Sequence, residues 1–191
     1  MEYELKFRAE KSIQARILEA LSGNREEIRM RTTYFDTPNQ ALSARKWTLR
    51  CRQENDLSVC TLKTPGEGNA RGEWETQGGE IQDSIEALCQ LGAPAELKTF
   101  CREGLVPVCG AEFTRTAIRI LYRESVLEVA IDQGKLVAGE KTAPIAEVEV
   151  ELKMGSTEDV DAFAEALARE FSLEKEPRSK FARALALSEG E

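Results

Sequence analysis

Acidic and basic residues recur at alternate positions in several stretches of this sequence, and any chemistry must be sought there. Glu2, Glu4 and Lys6 alternate with Tyr3, Leu5 and Phe7. Arg50 and Arg52 share a parity, as do Arg71 with Glu73 and Glu75, Arg115 with Arg119, and Glu128 with Asp132. Glu147, Glu149 and Glu151 alternate with Val148, Val150 and Leu152. On a strand such residues share one face. A solvated sheet face is the plain explanation for any one of these strands. Solvated faces usually mix Thr, Ser, Gln and Lys, however, and here nearly every polar position is ionised. Like charges on alternate residues, ~7 Å apart, repel by about 2 kcal/mol per pair at an effective dielectric near 20, a cost that an intervening cation removes. Turned inward, these faces would line a wet tunnel. Its carboxylates would suit hard cations such as Mg²⁺ or Mn²⁺, and its Arg and Lys side chains would suit phosphate oxygens.

The bulk composition narrows the alternatives. The chain has 191 residues, enough for one domain with a real core, and the expected organisation is a single domain over 1–191. It has no histidine, which excludes His-assisted serine or cysteine triads, His-ligated zinc and His acid–base chemistry. A net charge of −8 argues against a general nucleic-acid surface, while still allowing a small polyanion to bind where cations are gathered. No apolar run approaches the roughly 20 residues needed to span a bilayer. The start, Met1-Glu2-Tyr3-Glu4, lacks the basic and apolar regions of a signal peptide, so the expected location is cytoplasmic, with no membrane partner. Cys51, Cys60, Cys89, Cys101 and Cys109 follow no metal-ligand spacing and are expected to be reduced thiols.

The elements that must position these residues read mainly as strands. Strands are expected at 2–7, around 32–35, at 47–52 and 57–63 (a hairpin), at 71–76, and at about 111–122, 126–132 and 145–153. Gln133-Gly134 is expected to turn the chain between the last two. Helices are expected over Ser12–Leu21, over Ser84–Leu91 with a cap at Asp83 or Ser84 and a stop at Gly92, from Ser156 to about Phe171, and over Arg178–Leu187 with Pro177 at the first position. Hairpin-length connections between many strands favour one closed or nearly closed sheet.

Glu2-Tyr3-Glu4-Leu5-Lys6 resembles the E-x-E-x-K opening of the CYTH, or triphosphate tunnel metalloenzyme, superfamily. Tyr34-Phe35-Asp36-Thr37, Leu49-Arg50-Cys51-Arg52, Thr61-Leu62-Lys63, Arg71-Gly72-Glu73-Trp74-Glu75, Leu127 to Asp132, Glu147 to Glu151 and Ser179-Lys180 follow in that family's order. The resemblance implies a mainly β (α+β) fold, an eight-stranded antiparallel tunnel barrel with flanking helices. It implies that Glu2, Glu4, Glu149 and Glu151 bind a metal, with Asp132 and one or more of Glu73, Glu75 and Glu128 supporting a second. Lys6, Arg50, Arg52, Lys63, Arg115 and Lys180 would hold phosphate oxygens, with Arg71 and Arg119 as additions; Glu4, Lys6 and Lys63 would carry catalysis. Tyr34 would contact a phosphate or pack, and Trp47 and Trp74 would serve as core or rim aromatics.

The activity this implies is hydrolysis of a triphosphate assisted by Mg²⁺ or Mn²⁺, with inorganic tripolyphosphate as the leading substrate. A class IV-like adenylate cyclase, a thiamine triphosphatase and a non-catalytic polyphosphate-binding module are the alternatives. Many bacterial relatives continue into a helical CHAD domain; this sequence stops shortly after Ser179-Lys180, as a stand-alone enzyme or a trimmed chain would.

Overall fold

A computed structural model of the chain describes the backbone of residues 2–66 and 70–189; the side chains of Glu2, Ala70, Arg71 and Glu189 lie outside the described residues. Nine strands form one antiparallel sheet in the order β5-β4-β3-β2-β6-β7-β8-β1-β9. They are β1 (Glu2–Arg8), β2 (Asn24–Asp36), β3 (Thr48–Glu54), β4 (Leu57–Pro65), β5 (Ala70–Gln77), β6 (Val106–Tyr122), β7 (Ser125–Ala138), β8 (Lys141–Met154) and the two-residue β9 (Glu174–Lys175). β5 also meets β1, through Glu2↔Arg71 and Tyr3↔Ala70. The eight longer strands therefore curl into a tunnel barrel whose β1–β5 seam is paired at one end and otherwise open.

Helices α1 (Lys11–Ala20) and α4 (Thr157–Phe171) cover the outer face of β1 and β6–β8. Ile17, Val160, Ala164, Leu167 and Phe171 there pack on Phe7, Leu127, Val129, Ile131, Val148 and Val150, the apolar half of each alternation. Helices α2 (Ile81–Gln90) and α3 (Glu96–Phe100) cover β3–β5 in the same way, through Ile81, Ile85, Leu88 and Leu97 on Leu49, Cys60 and Leu62. Helix α5 (Lys180–Glu189) differs. Its Phe181 and Ala184 pack on Met30, Tyr34, Phe113, Leu136 and Ile145, which share strand faces with the charged residues, so α5 fills one end of the barrel interior.

Several sequence expectations need correction. β2 and β6–β8 run well beyond the stretches expected from local alternation. Gln133-Gly134 is not a turn but mid-strand in β7, paired with Thr114 and Phe113. Gly134 is small because β6 passes so close that a Cβ there would lie 2.1 Å from the Glu112 carbonyl oxygen. The chain actually turns at Gly139, whose φ of 59° favours glycine. Helix α2 starts at Ile81, ahead of the expected Asp83 or Ser84 cap. Helix α5 starts at Lys180 rather than near Arg178, because the Ser179 hydroxyl accepts the Ala182 amide at 3.0 Å and caps it, leaving Pro177 outside. The cysteines are not all thiols: Cys51 and Cys60 face each other across β3 and β4 at a Cα separation of 4.2 Å and form a disulfide. Their nine-residue separation matches no familiar motif, and only the hairpin register opposes them.

Candidate active site

The acids are set side by side by strand register. Glu4 on β1 lies opposite Glu151 on β8, and Glu151 opposite Glu128 on β7. One step further in, Lys6 pairs with Glu149. A step beyond that, Glu147 lies opposite Asp132, and Asp132 opposite Arg115. Like charges directly opposite weaken a sheet. Lys153 answers part of that repulsion, its ammonium 2.8 Å from Glu151 and 3.4 Å from Glu128.

The cations gather on the wall formed by β3 and β4. Arg50 and Arg52 share the inward face of β3, and Lys63 projects from β4, with Glu73 and Glu75 beside them on β5. Lys63 lies 3.4 Å from Glu73, Arg50 lies 3.9 Å from Glu73, and Arg52 lies 3.9 Å from Glu75 while also pairing with Glu54. Burial, and then the like charge of Arg50, pull the Arg52 pKa below its ordinary value. An acidic wall on β1, β7 and β8 and a basic wall on β3 and β4 thus border one cavity of about 430 Å³.

At the cavity's inner end the charges pair with one another. Arg115 donates from Nε and Nη2 to the two oxygens of Asp132, at 2.8 and 2.7 Å, and also to Glu149. Lys180 at the start of α5 lies 2.7 Å from Asp132 and 2.9 Å from Glu149, and contacts Glu147. Burial alone would lower the Lys180 pKa, but Asp132, Glu149 and Glu147 outweigh it and hold the ammonium above its usual range. Burial would likewise raise Glu149, yet Lys180, Arg115 and Lys6 hold it well below the usual carboxylate range.

Residues 1–185 match the CYTH domain. The chain belongs to the CYTH family. An inorganic triphosphatase of Haemophilus influenzae is 35% identical over 139 residues, which is 71% of this chain and 39% of that protein. This CYTH chain therefore aligns with well under two thirds of that relative's length. Among solved structures, HpAC1 from Hippeastrum, described as a proposed adenylyl cyclase with a dominant triphosphatase activity, superposes with a TM-score of 0.69 at 21% identity, covering 97% of this chain and 96% of that one. The PH1819 protein of Pyrococcus horikoshii superposes with a TM-score of 0.68 at 22% identity, covering 97% and 99%. At those identities the two structures speak for the fold.

The CYTH barrel brings most of the expected residues together. Glu4, Lys6, Arg50, Arg52, Lys63, Arg115, Glu149, Glu151 and Lys180 line the cavity, as do Glu73, Glu75, Glu128 and Arg119. Asp132 does not; it is fully buried beneath the Arg115 and Lys180 side chains that do. Glu2 and Arg71 fall among side chains outside the described residues. Tyr34 both packs, its ring 5.1 Å from that of Phe181, and borders the cavity, and burial raises its pKa despite Arg50 and Lys180. Trp47 and Trp74 belong to the outer layer under α2 and α3. Asp36 shapes a loop: it accepts the Thr37, Leu42 and Ser43 amides at 2.7, 3.0 and 3.0 Å.

Sequence reasoning placed Glu147 in a charged alternation without giving it a role, and it missed Lys153, Arg183 and Gln14. Lys153 continues the Glu149–Glu151 alternation, and Arg183 follows Lys180 by three residues on one helix face, so both carried a signal. Gln14 carried none: it is fully buried on α1 and donates to the backbone carbonyls of Asp132 and Glu147 at 3.1 and 3.2 Å, pinning β7 and β8 where those acids stand.

The donors fit a hard divalent cation. Glu4, Glu151 and Glu128 form a row of carboxylates across adjoining strands, the oxygen-only chemistry that Mg²⁺ and Mn²⁺ take. Asp132, Glu147 and Glu149 also offer oxygens all within 4.8 Å of one another, but the Lys180 ammonium contacts all three.

Proposed function

We propose that this chain hydrolyses a terminal phosphoanhydride of inorganic tripolyphosphate to orthophosphate and pyrophosphate, using Mg²⁺ or Mn²⁺. The observation that supports this reading is the pair of opposed walls, carboxylates facing guanidinium and ammonium groups across one cavity. A module that only bound anions would need the cations without the acids.

Glu4 and Glu151, with Glu149 or Glu128 beside them, are the residues that would hold the metal. The ion supplies Lewis-acid stabilisation of phosphoryl oxygens. Arg50, Arg52, Lys63 and Lys6 grip the non-bridging oxygens, and their charge is in place before the phosphoryl group moves. Such preorganised cations stabilise the charge spread over the transferring group and the leaving pyrophosphate. A carboxylate of the acidic wall takes the proton from the attacking water, since the chain has no histidine to do so.

The test is product analysis after incubating the purified chain with tripolyphosphate, and separately with ATP, in Mg²⁺ or Mn²⁺. Orthophosphate and pyrophosphate in equal amounts from tripolyphosphate, with ATP poorly used, is the expected result. Cyclic AMP with pyrophosphate from ATP would replace this reading with a cyclase. Metal-dependent binding without turnover would replace it with a binding module.

A further inference from the structure

Behind the cavity, Asp132, Glu147 and Glu149 meet Arg115, Lys180 and Arg183 in one buried cluster, three negative charges against three positive. Lys180 is shared among all three acids, and Arg183, one turn further along α5, reaches the second oxygen of Glu147. Only part of this set touches the cavity. Arg115, Glu149 and Lys180 line it, whereas Glu147 and Arg183 do not, and Arg183 instead borders a groove outside the tunnel. Glu147 is fully buried, and the Arg183 side chain is 12% exposed. Among the described ion pairs, Glu147 and Arg183 reach the cavity lining through Lys180.

We propose that Glu147 and Arg183 are positioning residues that set how far the Lys180 ammonium reaches into the tunnel, and thereby how tightly the tunnel holds a polyphosphate. This rests on the phosphate-binding reading of the cavity. An ammonium has three donors to divide between carboxylates and any phosphate oxygen. Glu147 holds it back, and Arg183 weakens that hold by sharing the Glu147 charge. Because the cluster is neutral as a set, removing one charge leaves its partner buried and uncompensated. The two residues therefore act on Lys180 in opposite directions. Without Arg183, Glu147 draws the ammonium out of the cavity. Without the Glu147 charge, the ammonium is released toward it. Removing both restores neutrality.

The experiment compares Arg183→Met, Glu147→Gln and the double variant, with Arg183→Lys as the conservative control, in the otherwise intact chain. Two readouts are taken: KM and kcat for tripolyphosphate with Mg²⁺, and the rate of acylation at Lys180 without substrate, followed by mass spectrometry. Arg183→Met is expected to raise KM on the order of fivefold, the scale of coupling between contacting groups, with kcat near wild type; Arg183→Lys should reverse that rise. Glu147→Gln should lower KM and kcat together, because substrate and product are both held harder, and should speed acylation of Lys180. The double variant should return KM to within about twofold of wild type. A pair that only stabilised the fold would move KM in one direction in both single variants and show no recovery in the double; that pattern, or an acylation rate indifferent to Glu147→Gln, overturns the proposal. Should Glu147→Gln fail to fold, Glu147→Asp withdraws the same charge by one methylene and must lower KM in the same direction. If wild type does not turn over tripolyphosphate, the proposed activity fails, while the acylation arm still decides what holds Lys180.

Discussion

On the inward face of β6, Cys109 and Ala111 pack in the cluster with α5, Phe113 belongs to that cluster and also borders the cavity, and Arg115, Ala117 and Arg119 line the cavity. β8 changes in the same way, from Ile145 through the buried Glu147 to Glu149 and Glu151 on the cavity, and β7 from Leu136 through the buried Asp132 to Glu128 on the cavity. The barrel interior thus has two halves built from the same strands with opposite contents. In the plugged half, side chains of α5 exclude water and the wall is apolar, with no ionised partner to satisfy. In the open half nearly every polar lining residue is ionised and must be answered by an opposite charge or by a ligand. Between them lies the cluster around Lys180, where Asp132 and Glu147 are as buried as the apolar residues and are answered by Arg115, Lys180 and Arg183. Charge in this barrel is concentrated where a ligand can share it.

That contrast can be broken from either side. The largest effect is expected in the open half: Glu4→Gln should lower kcat by about 10²–10³-fold, the usual loss when an electrostatic group of a preorganised site is removed, while the thermal midpoint stays near wild type. Wild-type turnover in the folded variant would remove Glu4 from the catalytic set. In the plugged half the loss should instead be of stability. Phe181→Ala deletes a largely buried ring packed on Tyr34 and should cost about 3 kcal/mol or more in urea unfolding. An unchanged midpoint would mean that α5 does not depend on that packing.

A smaller, graded effect is expected from pH at the boundary. Lys180, Arg115 and Lys6 hold the Glu149 pKa well below its ordinary 4.5 against the opposing effect of burial. A carboxylate lowered in the folded state contributes stability above its unfolded pKa, and that contribution is lost as pH falls. Urea midpoints measured with a chelator present should therefore decline below about pH 4.5, and Lys180→Met should flatten the decline. Equal slopes in the two proteins would uncouple Glu149 from Lys180. The smallest effect belongs to the solvent-exposed rim. Arg119 sits 3.4 Å from Glu128 with its side chain 71% exposed, so Arg119→Ala should cost under about 1 kcal/mol and change KM little. A large rise in KM would extend the phosphate-binding surface to the rim.

Much of this was legible from the chain alone. Period-two alternation placed the strands, and the ionisation of almost every polar position on them pointed to an inward charged face. Both follow from local geometry, since a strand sends alternate side chains to opposite sides whatever it packs against. The residues that line the cavity, including Glu4, Lys6, Arg50, Arg52, Lys63, Glu149 and Glu151, were named on that basis and on the family's motifs. What tertiary structure alone decided was where each alternation meets its partners. Gly134 looks like a turn until β6 is seen passing too close for a side chain. Cys51 and Cys60 look unrelated until the hairpin register opposes them. Asp132 looks like one more acid of an alternating strand until Arg115 and Lys180 are found bound to it. Helix α5 reads as one more flanking helix, and only its packing on Tyr34, Phe113 and Ile145 shows that it enters the barrel. In each case the deciding contact joins residues far apart in the chain or on separate strands, and local periodicity holds no information about which faces will meet.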